Sequence, residues 1–403
     1  MTPKLQNSGS RGLTNRPRLE SVDWLRGCVM VLMALDHTRD FFANATFNPV
    51  DLEKTTAAFF LTRWITHFCA PSFVFLAGVS AFLSTAQGQR TKAESCRRLA
   101  IRGLWLVGLD LVFFNTAWMF NFTVHWLSAM VLWAIGWSMV VLAGLVWMPR
   151  WFVLAFGLAL IALHNAFDGV VPVGFGVWQD LWRILHAGGA FDVLPGVRLA
   201  VTYPLIPWVG VMAVGYSFGP LLLLESPKKQ RSLLAIGSIT AALFFLVRGL
   251  NLYGDPVPWT TQRSGLFTVL SFLRCNKYPP SLCFLLMTLG PSILALGATS
   301  SRTPAFCKPL VVIGRVPLFY YVLHIPLIHA AYLILCLLRF GRADWSHGYQ
   351  PGLDPMPVVP ANSGVNLETV YGLWILFVLA LYPACRWFER LKRMRRAAWM
   401  MLL

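Results

Sequence analysis

Histidine, aspartate and arginine recur inside one apolar stretch, Arg18 to Phe42 (RLESVDWLRGCVMVLMALDHTRDFF). From Val22 to Leu35 it is mostly apolar, yet Asp23, Arg26, Asp36, His37, Arg39 and Asp40 lie on the same predicted helix. Ionisable groups at membrane depth are costly; they face the protein interior or a water-filled cavity and mark a functional site. Arg26 and His37 are eleven residues apart, which at about 100° per residue is three turns plus about 20°, so they share a face about 16 Å apart along the axis. Asp40 follows His37 by three residues and Asp23 precedes Arg26 by three, so each can pair with its neighbour. A histidine hydrogen-bonded to a carboxylate is an oriented general base. It can equally take a transferred group on its own nitrogen. The expected partner of His37 is Asp40, with Asp36 second; these acids and Arg39 also read as a solvated ion cluster. Arg26 reads either as an interfacial anchor on Asp23 or as a bidentate phosphate clamp.

Other elements could close a cavity around this helix. Arg63 and His67 are one turn apart on the second predicted span and would form a second polar wall. The segment CNKYPPSL interrupts an apolar run; two prolines remove amide donors, and such irregular backbone is tolerated at membrane depth only against protein or a cavity. Asn276, Lys277 and Tyr278 could therefore contact a donor or an acceptor. In the ninth span His324 could line the cavity, and His329, which does not share its face, reads as structural. Two histidines five residues apart on a helix are poor zinc ligands, and no metal is expected. Asp110, Asn115, Asn121 and His125 are weaker candidates. There is no Gly-rich phosphate loop, no GxSxG and no HExxH.

Composition sets the class. The chain has 403 residues, 57% hydrophobic and 13% charged, about half the charged fraction of a soluble protein. Many apolar runs reach the ~20 residues that cross a bilayer. The net charge of +17 does not point to nucleic acid, because the basic residues sit in short loops between apolar runs, as membrane orientation requires. The eight cysteines form no CxxC pair and read as small buried thiols. Residues 1–18 are polar and basic, lack a signal-peptide core, and read as a disordered cytosolic tail.

The expectation is an all-α polytopic membrane protein of about ten spans in one domain, 19–396. The spans fall near 22–42, 59–86, 103–120, 125–147, 151–166, 201–224, 232–249, 279–299, 309–338 and 366–388. Residues 167–200 are too polar to cross and read as a loop with a short interfacial helix. Residues 264–275 are too short to cross and read as a re-entrant or interfacial piece. With ten alternating spans and a cytosolic N-terminus, 21 Lys and Arg fall on the cytosolic side against about eight opposite. Both termini are therefore expected inside, with His37 toward the outer half of the bilayer.

The segments RLESVDWLRG, LDHTRDFF, THFCAPSFVFLAG, YPLIPWVGVMAVGY, CNKYPPSL and GRVPLFYYVLH, in that order, resemble the heparan-α-glucosaminide N-acetyltransferase-like family from about Leu19 to Arg396. An Arg and a His separated by ten residues also resemble the first-helix signature of the broader transmembrane acyltransferases. The resemblance implies acyl transfer from cytosolic acyl-CoA to a sugar amine or hydroxyl across the membrane, with acetyl-CoA as donor. It implies a lipid bilayer and a glycan or amino-sugar acceptor as partners and a bacterial cytoplasmic membrane as location; a homodimer is left open. His37 would be base or nucleophile, with Asp40 or Asp36 orienting it. Arg26, Arg63 and Lys277 would meet the donor. Arg39, His67, Asn276, Tyr278 and His324 would meet the substrate. There is one departure: animal lysosomal members carry Asn at the position of His37 and a catalytic His about three turns later, where this chain has Asn48. The alternative classes are a transporter or channel using His37 and its acids as a proton or solute site, and a structural partner in a cell-envelope assembly.

Overall fold

The computed structural model describes residues 19–45, 47–86, 91–120, 125–171, 174, 176–301, 303–343, 360 and 363–394. The expected tail, 1–18, and Asn121 lie outside them. The chain forms α1 (Glu20–Phe42), α2 (Ala57–Thr66), α3 (Cys69–Ala86), α4 (Lys92–Leu109), α5 (Asn115–Met119), α6 (Val131–Leu145), α7 (Arg150–Leu163) and α8 (Val177–Trp182). It continues with α9 (Leu205–Phe218), α10 (Ser226–Leu250), α11 (Gly265–Leu273), α12 (Leu282–Thr299), α13 (Lys308–Arg315), α14 (Pro317–Phe340) and α15 (Leu367–Met394). Among the described residues, eight helices are long and apolar enough to cross a membrane. α1 has the length, 23 residues, but carries six Asp, Glu and Arg residues from Glu20 to Asp40, and α6 has only 15 residues. Lipid accounts for large apolar side chains left uncovered on the spans, such as Phe245 and Leu338.

α1 is enclosed by α2, α3, α12, α13, α14 and α15. Acidic Glu20 and Asp23 in its first turn and Arg39 in its last complement the helix dipole. Its closest neighbour is α13. A Cβ on Gly27 would stand 1.8 Å from the Leu310 carbonyl oxygen, and one on Gly314 1.8 Å from that of Asp23. Only hydrogen side chains let the two backbones meet so closely. The far end of α1 is held to the start of α15 by a backbone pair, Asn44 N–H to Val365 O at 2.9 Å and Val365 N–H to Phe42 O at 2.7 Å.

Several expectations need correction. The fold is not all-α: a three-stranded sheet joins β1 (Trp126–Ala129), β2 (Gly189–Leu194) and β3 (Val197–Val201) in the order β1-β3-β2. β2 and β3 form an antiparallel hairpin through Pro195–Gly196, where Gly196 supplies a φ of +75°, and β1 pairs parallel with β3. The sheet buries Ala129, Leu199 and Val201 against Val107, Trp133, Leu205 and Val209. The fourth span therefore starts at Val131, six residues later than expected. Asp110, fully buried, accepts the Met130 N–H at 2.6 Å and so caps α6. The expected ninth span is two helices broken at Val316, because Pro317 disfavours helical backbone in the residue before it. The second span turns at His67 and Phe68, between α2 and α3.

The short piece near 264–275 is α11, nine residues or about 14 Å long, far short of a ~30 Å bilayer core. It is tied down by the 2%-exposed Arg248. That guanidinium donates to the carbonyls of Phe272 (3.0 Å), Ser271 (3.1 Å), Arg274 (2.6 Å) and Val257 (2.9 Å) and faces Asp255 at 3.6 Å. The first three are carbonyls at the C-terminus of α11, satisfied by one buried cation, and the fourth ties in the loop before that helix. Asp255 in turn accepts from Asn276 N (2.9 Å) and Ser281 Oγ (2.6 Å), which sets the CNKYPPSL turn. Replacing Arg248 with Met is expected to cost about 3–5 kcal/mol by leaving Asp255 buried and unpaired; thermal unfolding in detergent measures it, and an unchanged Tm would contradict this reading.

Candidate functional site

Two polar clusters lie along α1, about three turns apart. At one end Arg26 donates to Ser80 Oγ at 2.7 Å and to Asp23 Oδ1 and Gly314 O at 3.3 Å each. Arg315 stands 3.5 Å from Asp23, 3.6 Å from Glu20 and 3.1 Å from Glu389. Arg102 on α4 lies within electrostatic reach of both Arg26 and Arg98. Asp23 is shared between Arg26 and Arg315.

At the other end the imidazole of His37 meets that of His324, Nδ1 to Nε2, at 2.7 Å with the rings 17° from coplanar. The tautomers follow from the carbonyls behind them. His324 Nδ1 lies 2.7 Å from Tyr321 O and 3.2 Å from Tyr320 O, so it carries a proton and donates. Its Nε2 is then a bare acceptor, and His37 Nδ1 must be the donor. That leaves the lone pair of His37 on Nε2. His324 is fully buried, whereas His37 is only partly covered, with Trp118 against its edge at 4.9 Å. The buried ring thus orients the accessible one, as a third group orients the base of a catalytic triad.

Asp36 does not take that part. Its carboxylate receives both oxygens' worth of bonding from Arg63 (2.8 and 2.6 Å), a hydrogen bond from Thr66 (2.7 Å) and an ion pair from Arg39 (2.7 Å). Asp40 is more exposed and bonds Arg39 at 2.5 Å. Among the described residues neither carboxylate is hydrogen-bonded to His37, so the expected His–Asp pairing gives way to a His–His pairing. The reason is steric and electrostatic: Arg39 and Arg63 claim both acids first. Arg63 and Arg39 accordingly serve Asp36 here. His324, expected at the substrate, is fully buried with both ring nitrogens engaged.

The remaining expected residues are placed as follows. Lys277 is 9% exposed, lies 5.2 Å from the Tyr278 ring, and acts electrostatically on His37, Asp36 and His67. Among the described residues no carboxylate comes within 4.0 Å of its ammonium. It sits at the His37 end, as does Arg63, not beside Arg26. Tyr278 packs edge-on to Tyr203 at 5.3 Å. Asn276 turns its amide back onto Pro279 O at 3.0 Å, which makes it a brace of the turn. His67 is buried against Phe284, its Nδ1 without a hydrogen-bond partner among the described residues. His329 donates to Ala117 O at 3.0 Å and lies between the rings of Phe41 and Phe120.

A third group was not anticipated. One ligand atom each from His164, Asp168 and His186 lie within 4.8 Å of one another. Their sequence spacing spans a loop and carries no motif, so only folding reveals them.

A helical membrane protein with a buried polar site and an oriented imidazole fits a group-transfer enzyme rather than a bare scaffold. Residues 18–253 match the family model described as heparan-alpha-glucosaminide N-acetyltransferase, catalytic. The chain belongs to that family of membrane acetyltransferases. No curated protein matches it.

Proposed function

We propose that the protein moves an acetyl group from cytosolic acetyl-CoA to an amine or hydroxyl of a sugar on the opposite face of a bacterial cytoplasmic membrane. In this reading α1 and α6 join the eight longer spans to make ten, with both termini cytosolic. The observation that carries it is the His37–His324 pair, which presents His37 Nε2 as a base of fixed tautomer. His37 Nε2 takes the proton of the acceptor as that atom attacks the thioester carbonyl; the C–S bond breaks and CoA leaves as thiolate, which recovers the proton. If the acetyl group first rides on Nε2 itself, the same lone pair serves as nucleophile.

The other residues divide by end. Arg26, with Arg98 and Arg102 nearby, offers the anion site for CoA phosphates. A pantetheine arm laid along α1 would bring the thioester to His37, about 16 Å away. Lys277, a buried cation with no carboxylate partner among the described residues, would stabilise a developing oxyanion beside His37. Asp36, Arg39 and Arg63 hold the wall behind it, with Asp40 at the acceptor side. Tyr278 and His67 flank the turn where the acceptor would enter.

The direct test is transfer of labelled acetyl from acetyl-CoA to amino-sugar acceptors by purified protein in detergent. Acetylated sugar and free CoA in equal amounts are the expected products; solute movement without CoA release would overturn the proposal. Arg26→Ala is expected to raise KM for acetyl-CoA about tenfold or more, one charge-assisted contact's worth, with little change in KM for the sugar. Unaltered donor kinetics would remove Arg26 from that role.

A further inference from the structure

The cluster formed by His164, Asp168 and His186 lies outside the acetyl-transfer chemistry. His164 is the C-cap of α7, Asp168 follows four residues later, and His186 lies in a π-helical turn after α8. His164 and His186 are each 2% exposed. Neither buried ring nitrogen of His164 reaches good hydrogen-bond geometry among the described residues, although the Pro280 backbone lies close enough to act on the ring. A buried imidazole with neither nitrogen satisfied costs free energy unless something fills the gap. His186 Nε2 stands 2.8 Å from His164 O and 3.6 Å from Asp168 Oδ1, and Trp182 stacks on its ring at 4.9 Å. The Asp168 carboxylate is oriented from its other side by Asn165 Nδ2 at 2.8 Å.

We propose that these three side chains bind one divalent transition metal, with zinc as the fitting ion. Two imidazoles and a carboxylate are a zinc donor set, and three protein ligands leave a fourth position for water. Ligand atoms about 2.0–2.1 Å from zinc in tetrahedral array are about 3.4 Å apart, so each would move inward by a fraction of the present 4.8 Å span. Binding displaces the proton on His186 Nε2 and gives His164 its missing partner. The Asn165–Asp168 contact is the second-shell bond that such carboxylates carry.

The site has a place in the architecture. Asn165 Oδ1 accepts the Leu282 N–H at 2.8 Å, so the same residue that orients Asp168 also caps α12, directly after the Lys277–Tyr278 turn. A metal here fastens the loop after α7 to that turn. Its work is structural, and it takes no part in the transfer step.

The test uses full-length protein purified in detergent without a polyhistidine tag, stripped with chelator and titrated with zinc. Isothermal titration and metal analysis after gel filtration are expected to find one zinc per chain and a higher Tm with zinc than without. His164→Gln and Asp168→Asn are each expected to weaken that binding at least 100-fold with an unchanged gel-filtration profile. Asp168 is partly exposed, and Asn retains an acceptor for Asn165, so Asp168→Asn decides the matter if His164→Gln misfolds. Wild-type protein that retains no zinc, or variants that bind it as tightly as wild type, would overturn the proposal.

Discussion

His324→Leu is expected to lower kcat for acetyl transfer by about 10²–10⁴-fold, the scale on which an imidazole loses its orienting partner, while KM for acetyl-CoA stays within about twofold. The argument is local. His324 is fully buried behind His37, and its Nε2 accepts the His37 Nδ1 proton at 2.7 Å. Without that acceptor the ring of His37 is free to rotate and to move its proton to Nε2, the atom that must be bare. His324→Gln is expected to recover part of the rate, because its amide oxygen can still accept. If Leu and Gln behave alike, or if both simply raise KM, His324 is not orienting His37.

Asp36→Asn is expected to destabilise the fold by about 3–5 kcal/mol, read as a lowered Tm in detergent. The carboxylate is the single anion shared by Arg63, Arg39 and Thr66, all within 2.8 Å of it. Neutralising it leaves two guanidiniums facing one another at membrane depth with Lys277 nearby and only Asp40 in compensation. Burial is what makes the loss large; an exposed pair would be worth under about 1 kcal/mol. Asp40→Asn, at an exposed residue, is the control expected to leave the Tm little changed. Equal effects of the two substitutions would contradict the assignment of Asp36 as the buried hub.

Much of this arrangement was legible before the fold was known, and the exceptions have causes. The eleven-residue spacing put Arg26 and His37 on one side of α1, and both side chains meet one continuous stretch of chain, Arg26 at Gly314 and His37 at His324. Arg63 was read as a second polar wall and lies on Asp36. The shortness of the piece near 264–275 was plain from its length alone. What failed was partner choice. His37 and His324 are 287 residues apart, and no periodicity on either helix can say that they meet. Proximity in sequence favoured Asp40 and Asp36, but an arginine on the next helix, Arg63 on α2, holds Asp36 instead. The strands were hidden by composition: WLSA precedes an apolar run and merges with it, and its parallel partner lies some seventy residues later. The break at Val316 could have been read from the Pro317 that follows. The His164, Asp168 and His186 cluster could not, because its members come together only when the loop after α7 folds back.

The most direct measurement of the central claim is acetyl transfer by purified His37→Ala beside the wild-type protein, with acetyl-CoA and an amino-sugar acceptor. A loss of about 10²–10⁴-fold in kcat, with the wild-type Tm retained, is the result that follows if His37 Nε2 handles the acetyl group. Transfer at the wild-type rate by the alanine variant would place the chemistry elsewhere.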